Sequence, residues 1–442
     1  MPNRVYMGDD IQRSEDGHPI SKERHMATPL DGTGSSTYQQ SVALGHYRRN
    51  TGGILGKYDR VRTRWEDTTT REATRSFLQL IATNTRERGA RILDLGCGSG
   101  EGYELLTQVP EESTDLAQET RYVLPPRSIS CYLGVDLSAS MIEQGAANYQ
   151  GVAEISFRQS DLREGLGSAA AEAPFDLYYS SYGSLSHLDD GGMEGLLRAI
   201  GRHASPGAYI VLDLLGRLSP EWPCYWGGAS EEQFPYSMSY LNQGAAQAAS
   251  VEQFLLRFWT AEQLRSLCQR LSSTGECSFH VEKIVDRSIF VGRHVDTNEY
   301  GSCVPPLRRA VNNLYQPDLR TDLDLLIARY REVDGAPEMN AFFNAFARHW
   351  NVLVSFTSAC LHGMHIPPET MSDWSAHPPV LQQALREIYW ATQVASSLQV
   401  DDARANFIEP LLACCLHRLE TVLQPALGCG HGLIAIVRVT HE

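Results

Sequence analysis

Short apolar runs and helix-period segments alternate through the middle of the chain. Ile92, Leu93 and Leu95 form one run with Asp94 inside it, and residues 101–107 follow as a helix. Residues 132–137, 155–159, 175–179 and 208–212 are further apolar or alternating runs. Each except 175–179 has an acid at its end (Asp136, Asp161, Asp213), and helical periodicity lies over 72–84 and 139–149. Runs of this length bounded by turn residues read as strands, and helices between them predict a parallel sheet. Thr260 with Gln263 makes a capping box that opens a helix over 260–271. Residues 279–291 alternate as a sixth strand, and the best candidate for a seventh is residues 432–439, close to the end of the 442-residue chain. The stretch between them carries helical periodicity over 323–330, 339–361, 380–398 and 405–423, punctuated by Pro305-Pro306, Pro367-Pro368 and Pro378-Pro379. It reads as a helical domain inserted before the last strand. A separate helical domain with an unrelated final strand is the alternative.

The chemistry concentrates after the first strand. Asp94 is followed by Gly96, Cys97, Gly98, Ser99 and Gly100. Glycines there allow positive φ and close approach of a ligand to the backbone. The helix that follows offers free N–H groups. Asp136 ends the second strand, where a carboxylate can accept both hydroxyls of a ribose. Ser138 is the expected N-cap of the next helix. Leu137 and Met141 could wall an adenine, although Met141 reads equally well as core. The spacing is G-x-G-x-G, not the G-x-G-x-x-G of dinucleotide sites.

The segment Asp94 to Gly100 resembles the first motif of class I S-adenosylmethionine (SAM)-dependent methyltransferases. Gly134-Val135-Asp136-Leu137-Ser138, the strand ending at Asp161, and the run from Phe175-Asp176-Leu177 to His187-Leu188 are similar to the next motifs, in order. A non-SAM Rossmann protein is the competing reading. The resemblance implies an α/β, doubly wound seven-stranded class I methyltransferase sheet with SAM as cofactor. It assigns Asp161 to the adenine amino group and the Leu162 backbone to the same ring. It places Ser180 beside the cofactor and Tyr58 over the sulfonium, where a ring face attracts a cation. Tyr58 and Trp65 could instead simply pack the preceding helices on the core. The step from Asp94 to Asp136 is about twice the ~20 residues usual for such a unit, so residues 109–130 read as a surface insertion.

The divisions expected are a mobile arm (1–40), a helical lid (41–90), the SAM-binding core (91–300), the helical insertion (301–430) and the final strand (431–442). After the fifth strand, Trp222, Tyr225, Trp226 and Tyr236 are interleaved with Pro and Gly. They read as a substrate-binding loop with flat apolar walls, or else as a dimer contact or satellite core. His187 and Tyr182 are the catalytic candidates, a base and an acceptor contact, with Asp213 nearby. His187 has a purely structural alternative. No Asp/Asn-Pro-Pro-aromatic tetrad follows the fourth strand, which argues against DNA-amine and protein-glutamine acceptors.

Composition narrows the acceptor. Fifty-three acidic residues against 38 basic ones give a net charge of −15. Polyanions need basic stripes, and Arg60, Arg62 and Arg64 are one short run, so neither nucleic acid nor an anionic membrane is expected as partner. No apolar stretch of membrane-spanning length and no secretory leader are read in the chain. The ten cysteines contain no C-x-x-C pair, so no metal is expected, and free thiols suit a reducing cytoplasm. The expectation is a cytoplasmic methyltransferase acting on an O, N or C atom of a small molecule, in natural product biosynthesis, with a homodimer as one assembly open to it. The alternatives are a SAM-fold enzyme doing non-standard alkylation or cyclisation, or a non-catalytic SAM-fold scaffold.

Overall fold

The structure, a computed structural model, describes residues 35–48, 59–111, 121–229, 232–241, 252–274 and 277–441. Most of the expected N-terminal arm, the middle of the 109–130 insertion, and Tyr58 therefore lie outside the described residues. In chain order the regular elements are α1 (Ser35–Ala43), α2 (Asp67–Asn84), β1 (Ala90–Leu95), α3 (Glu101–Thr107), β2 (Ile129–Asp136), α4 (Ala139–Asn148), β3 (Ile155–Gln159), β4 (Leu177–Ser180), α5 (Asp190–His203), β5 (Tyr209–Gly216), β6 (Gln233–Ser237), β7 (Gln253–Trp259), α6 (Ala261–Thr274), β8 (Cys277–Arg287), α7 (Leu307–Leu314), α8 (Pro337–Leu361), α9 (Pro379–Val394), α10 (Glu409–Leu423) and β9 (Gly432–His441).

Strands β3-β2-β1-β4-β5 are parallel neighbours. Beyond β5 lies β9, antiparallel to both β5 and β8. The last strand of the chain thus sits inside the sheet. Among the described residues the sheet has nine strands rather than seven. The extra two are an antiparallel hairpin, β6 with β7, whose β7 pairs with β5 only at Leu215 and Gly216. The sequence around Phe234-Pro235-Tyr236 reads as a loop because of its proline, yet β6 is an edge strand, where proline is tolerated.

Alternation sorts the sheet into two faces. Leu93, Leu95, Ile210 and Leu212 pack with Leu197 of α5 and Leu267 of α6. Ile92, Tyr132, Tyr179 and Val211 pack with Leu78 of α2 and Leu106 of α3. Two capping expectations are met. Thr260 and Gln263 exchange hydrogen bonds at 2.9 and 3.2 Å, and Ser138 Oγ accepts from Met141 N at 3.4 Å.

Helices α7 to α10 lie between β8 and β9 in sequence. Their core is shared with Val61 and Trp65 ahead of α2 and with Ile289, Phe290 and Val291 after β8. Each such side chain contributes roughly 1.5–3 kcal/mol on burial. A charged seam lies along the same junction. Glu66 pairs with Arg293 at 2.9 Å and Arg308 at 2.7 Å, and Arg308 also pairs with Asp59 at 2.8 Å. Residues 323–330 are not the helix their periodicity predicts. Only a turn forms at Leu323–Leu326, because Asn351 on α8 bonds both the N–H and the C=O of Ala328, at 2.7 and 3.0 Å. The short helix α7 is unforeseen.

Candidate active site

The carboxylates and the glycine turn lie at the C-terminal edge of the parallel strands. Gly96, Gly98 and Gly100 all have positive φ, at 69°, 52° and 90°. The turn is pinned from the neighbouring strand, since Gly96 N and Cys97 N both donate to Val135 O at 2.8 and 3.0 Å. A Cβ on Gly96 would stand 2.6 Å from Ser184 Cβ.

Asp136 holds the turn open. Its Oδ2 accepts Gly98 N at 2.9 Å and its Oδ1 accepts Ser138 N at 2.8 Å. The Leu137 N–H is a third backbone donor to this carboxylate, and two carboxylate oxygens offer about four lone-pair sites, so acceptor capacity remains for a ribose hydroxyl. Beside it Leu137 is 42 % exposed, whereas Met141 is buried. Asp94 is fully buried. Tyr132 donates its hydroxyl to Oδ2, while Oδ1 has no hydrogen-bond partner. Burial pushes this carboxyl up to about 7, against the Tyr132 hydrogen bond. An orphaned buried oxygen of this kind calls for a donor or cation, and SAM carries both. Asp161 is held low by hydrogen bonds from Arg163, to which it is paired at 2.6 Å near the surface. Leu162 is buried next to it, and Ser180 is buried with an unpartnered Oγ. The residues present therefore fit an adenosyl cofactor.

Tyr182 follows β4 with φ at 52°, a strained value for a bulky residue. Its N–H donates to Asp213 Oδ2 at 2.8 Å, and its hydroxyl donates to Asp67. Arg62 lies 3.2 Å and Arg287 4.3 Å from its ring centre, and Arg287 pairs with Asp213 at 3.0 Å. His187 contacts the Tyr38 hydroxyl at 2.9 Å and stacks on Phe254 with ring centres 5.3 Å apart. Burial pushes its imidazole down to about 4, so it is neutral at pH 7.

The aromatic stretch packs densely. Trp222 and Tyr236 are buried in one cluster with Phe254 and Phe258. Trp222 donates to Gly216 O at 2.9 Å, Tyr225 to Pro235 O at 2.7 Å and Trp226 to Ser219 O at 2.9 Å. Trp226 also stacks on Phe343 of α8.

Three titratable residues absent from the sequence-based set meet behind this wall: Glu221, His294 and His431. His431 Nδ1 lies 2.9 Å from Glu221 Oε1, and His294 N donates to Glu221 Oε2 at 2.5 Å. The one available signal was Glu221 itself, an acid standing between Pro220 and Trp222. Nothing in the spacing joins it to either histidine. Among the described residues no His/Cys/Asp/Glu group could hold a metal, no helix is long and apolar enough to cross a membrane, and no two cysteines are joined in a disulfide.

Residues 65–271 match the family described as a methyltransferase domain. The matched segment is a little under half of the chain, and it contains the glycine turn, Asp94, Asp136 and Asp161. No curated protein matches the sequence. Among solved structures, an S-adenosylmethionine dependent methyltransferase from Mesorhizobium loti is 20% identical, with 48% of this chain and 83% of that one covered and a TM-score of 0.30. The plantazolicin methyltransferase BamL, in complex with a triazolic desmethylPZN analog and SAH, is 16% identical over 56% of this chain and 74% of that one, with a TM-score of 0.34. The [4+2]-cyclase SpnF is 13% identical over 93% of this chain and 94% of that one, with a TM-score of 0.35.

Proposed function

We propose that the protein methylates a small-molecule acceptor, a natural product, held beyond the C-terminal ends of β4, β5 and β8. The observation that carries this is the pairing of Asp94, with its orphaned buried oxygen, and Asp136, which accepts Gly98 N and Ser138 N and keeps acceptor capacity, across one glycine turn. SAM, when bound, supplies an electrophilic methyl group. Asp136 holds the ribose hydroxyls, and Asp161 with Leu162 holds the adenine edge. Asp94 balances cationic charge at the turn, and Ser180 faces the cofactor. Positioning is then the main contribution of the protein. Tyr182 is the acceptor contact after β4. His187, kept neutral by burial, borders the same space as a hydrogen-bonding wall.

The acidic chain, at −15, supports an uncharged or cationic acceptor over a polyanion. Ten cysteines with no disulfide between them support a reducing compartment, the cytoplasm. The test is calorimetry with SAM and S-adenosylhomocysteine, followed by mass spectrometry of candidate acceptors for the gain of one methyl group. Absence of heat on SAM addition overturns the reading.

A further inference from the structure

The C-terminal ends of β5 and β8 and the first residue of β9 lie side by side, with Gly432 paired to both Leu215 and Arg287. Open α/β sheets hold their ligands at this edge. The segments that leave these strands bring Glu221, His294 and His431 together there. Glu221 is fully buried. Burial pushes its carboxyl up, but His431 and the His294 N–H outweigh that and hold it below the ordinary value. Ser219 Oγ gives it a further hydrogen bond at 3.1 Å. Room for the carboxylate exists because residue 292 is glycine; a Cβ there would stand 2.1 Å from it.

The carboxylate contacts Nδ1 of His431 at 2.9 Å, and Nε2 has no hydrogen-bond partner among the described residues. A buried acid on Nδ1 selects the tautomer with its lone pair on Nε2 and stabilises the imidazolium that forms when Nε2 takes a proton. His294, wholly buried, likewise has an unpartnered Nε2. Its ring lies 6.3 Å from that of His431. The rings of Tyr236, Tyr240 and Tyr300 stand 5.0, 5.2 and 5.0 Å from His294, and Trp222 stands 5.4 Å from His431. Aromatic rings therefore surround both histidines, and such rings supply flat apolar faces with a few polar handles.

We infer that Glu221 and His431 form a general-base pair that deprotonates an aromatic hydroxyl of the acceptor, with His294 as a second hydrogen-bonding group. This rests on the methyltransferase reading and narrows it to transfer onto oxygen. In the step, the O–H bond breaks and its electron pair stays on oxygen. The proton goes to His431 Nε2, leaving a phenolate beside an imidazolium paired with Glu221. Asp213 on β5 and His294 also sense the charge of His431.

The test uses the full chain and 4-nitrophenol, whose phenolate is coloured. The bound phenol is expected to ionise about one pKa unit or more below the free molecule, a tenfold gain in the ionised fraction at a pH below its free pKa. His431→Gln should bind it without that shift, and Glu221→Gln should weaken the shift, both with unchanged S-adenosylhomocysteine calorimetry. Should the variants fail to fold, nitrogen-15 histidine spectra of the unmutated protein decide. One imidazole protonated on Nδ1 should change its Nε2 signal on phenol addition. Failure to bind, no shift, an equal shift in His431→Gln, or no histidine perturbation overturns the inference. Loss of SAM binding alone would sink the methyltransferase reading and leave the phenol result standing.

Discussion

Asp136 accepts the backbone N–H of Gly98 at 2.9 Å, so the residue expected to grip the ribose also holds the glycine turn in place. Asp136→Ala removes both functions. Ribose hydrogen bonds to a charged acceptor are worth about 1.5–3 kcal/mol each, and 1.4 kcal/mol is tenfold in affinity. SAM affinity should fall about tenfold or more by calorimetry. Asp136→Asn should lose nearly as much, since one amide oxygen cannot serve Gly98 N, Ser138 N and two hydroxyls. Unchanged affinity would move the ribose elsewhere.

The glycines of the turn should differ in cost. Gly96 combines a φ of 69° with a neighbour 2.6 Å from any Cβ, whereas the nearest atom at Gly98 is 4.0 Å away. Gly98→Ala should therefore cost only the left-handed penalty, about 1–2 kcal/mol. Gly96→Ala adds a clash with Ser184 and should cost about 1–3 kcal/mol more. Urea unfolding midpoints read the contrast, and equal losses would refute it.

How much of this was legible follows from where the information lies. The turn, Asp94, Asp136 and the succession of strands along the chain were readable because a local motif and short apolar or alternating runs carry them. Residues 432–439 were readable as a strand because the run is apolar and the resembled fold calls for a seventh one; its place between β5 and β8 was not. The β6–β7 hairpin was hidden by Pro235, whose meaning depends on being at an edge. The turn at 323–330 was hidden because Asn351, far along the chain, decides it. The Glu221, His294 and His431 cluster was invisible for the same reason: three strand ends assemble it, and no spacing encodes that.

Asp94 makes cofactor binding depend on pH. Its folded-state carboxyl stands at about 7, above the ordinary value near 3.9. A raised acid favours folding below the unfolded value, and that contribution is lost as pH rises from about 4 to 7, by on the order of 1 kcal/mol per unit. Cationic SAM prefers the ionised form, so its affinity should climb as pH rises from 5.5 to 8. Asp94→Asn should flatten that climb and remove part of the stability loss of the free protein. A climb of equal steepness in the variant would assign the proton to another group.

Removing the helical segment tests whether it is an appendage. Trp65 and Ile289 to Val291 share its core, and Glu66 and Asp59 pair with its Arg308. Deleting residues 304–428 with a short linker exposes all of these at once. The expected product is insoluble or lacks a cooperative melting transition. A truncated protein that melts cooperatively and binds SAM would make the segment a separable domain.

Trp65 and Glu420 give that junction a measurable pH signature. The Trp65 indole donates to Glu420 Oε1 at 2.8 Å, and the N–H groups of Ser288 and Ile289 donate to the same carboxylate at 2.8 and 2.9 Å. Burial nevertheless pushes Glu420 up to about 7. In the folded protein it is therefore mostly protonated at pH 5 and ionised at pH 8. The indole hydrogen bond is stronger to the ionised form, about 1.5–3 kcal/mol against 0.5–1.5 for a neutral acceptor. Trp65→Phe keeps most of the packing and deletes the donor, so it should also raise the Glu420 pKa further. Its loss of unfolding free energy should be larger at pH 8 than at pH 5. Denaturant titrations of both proteins at the two pH values measure this. A deficit that is equal at both, or larger at pH 5, would mean that Trp65 acts there through packing alone.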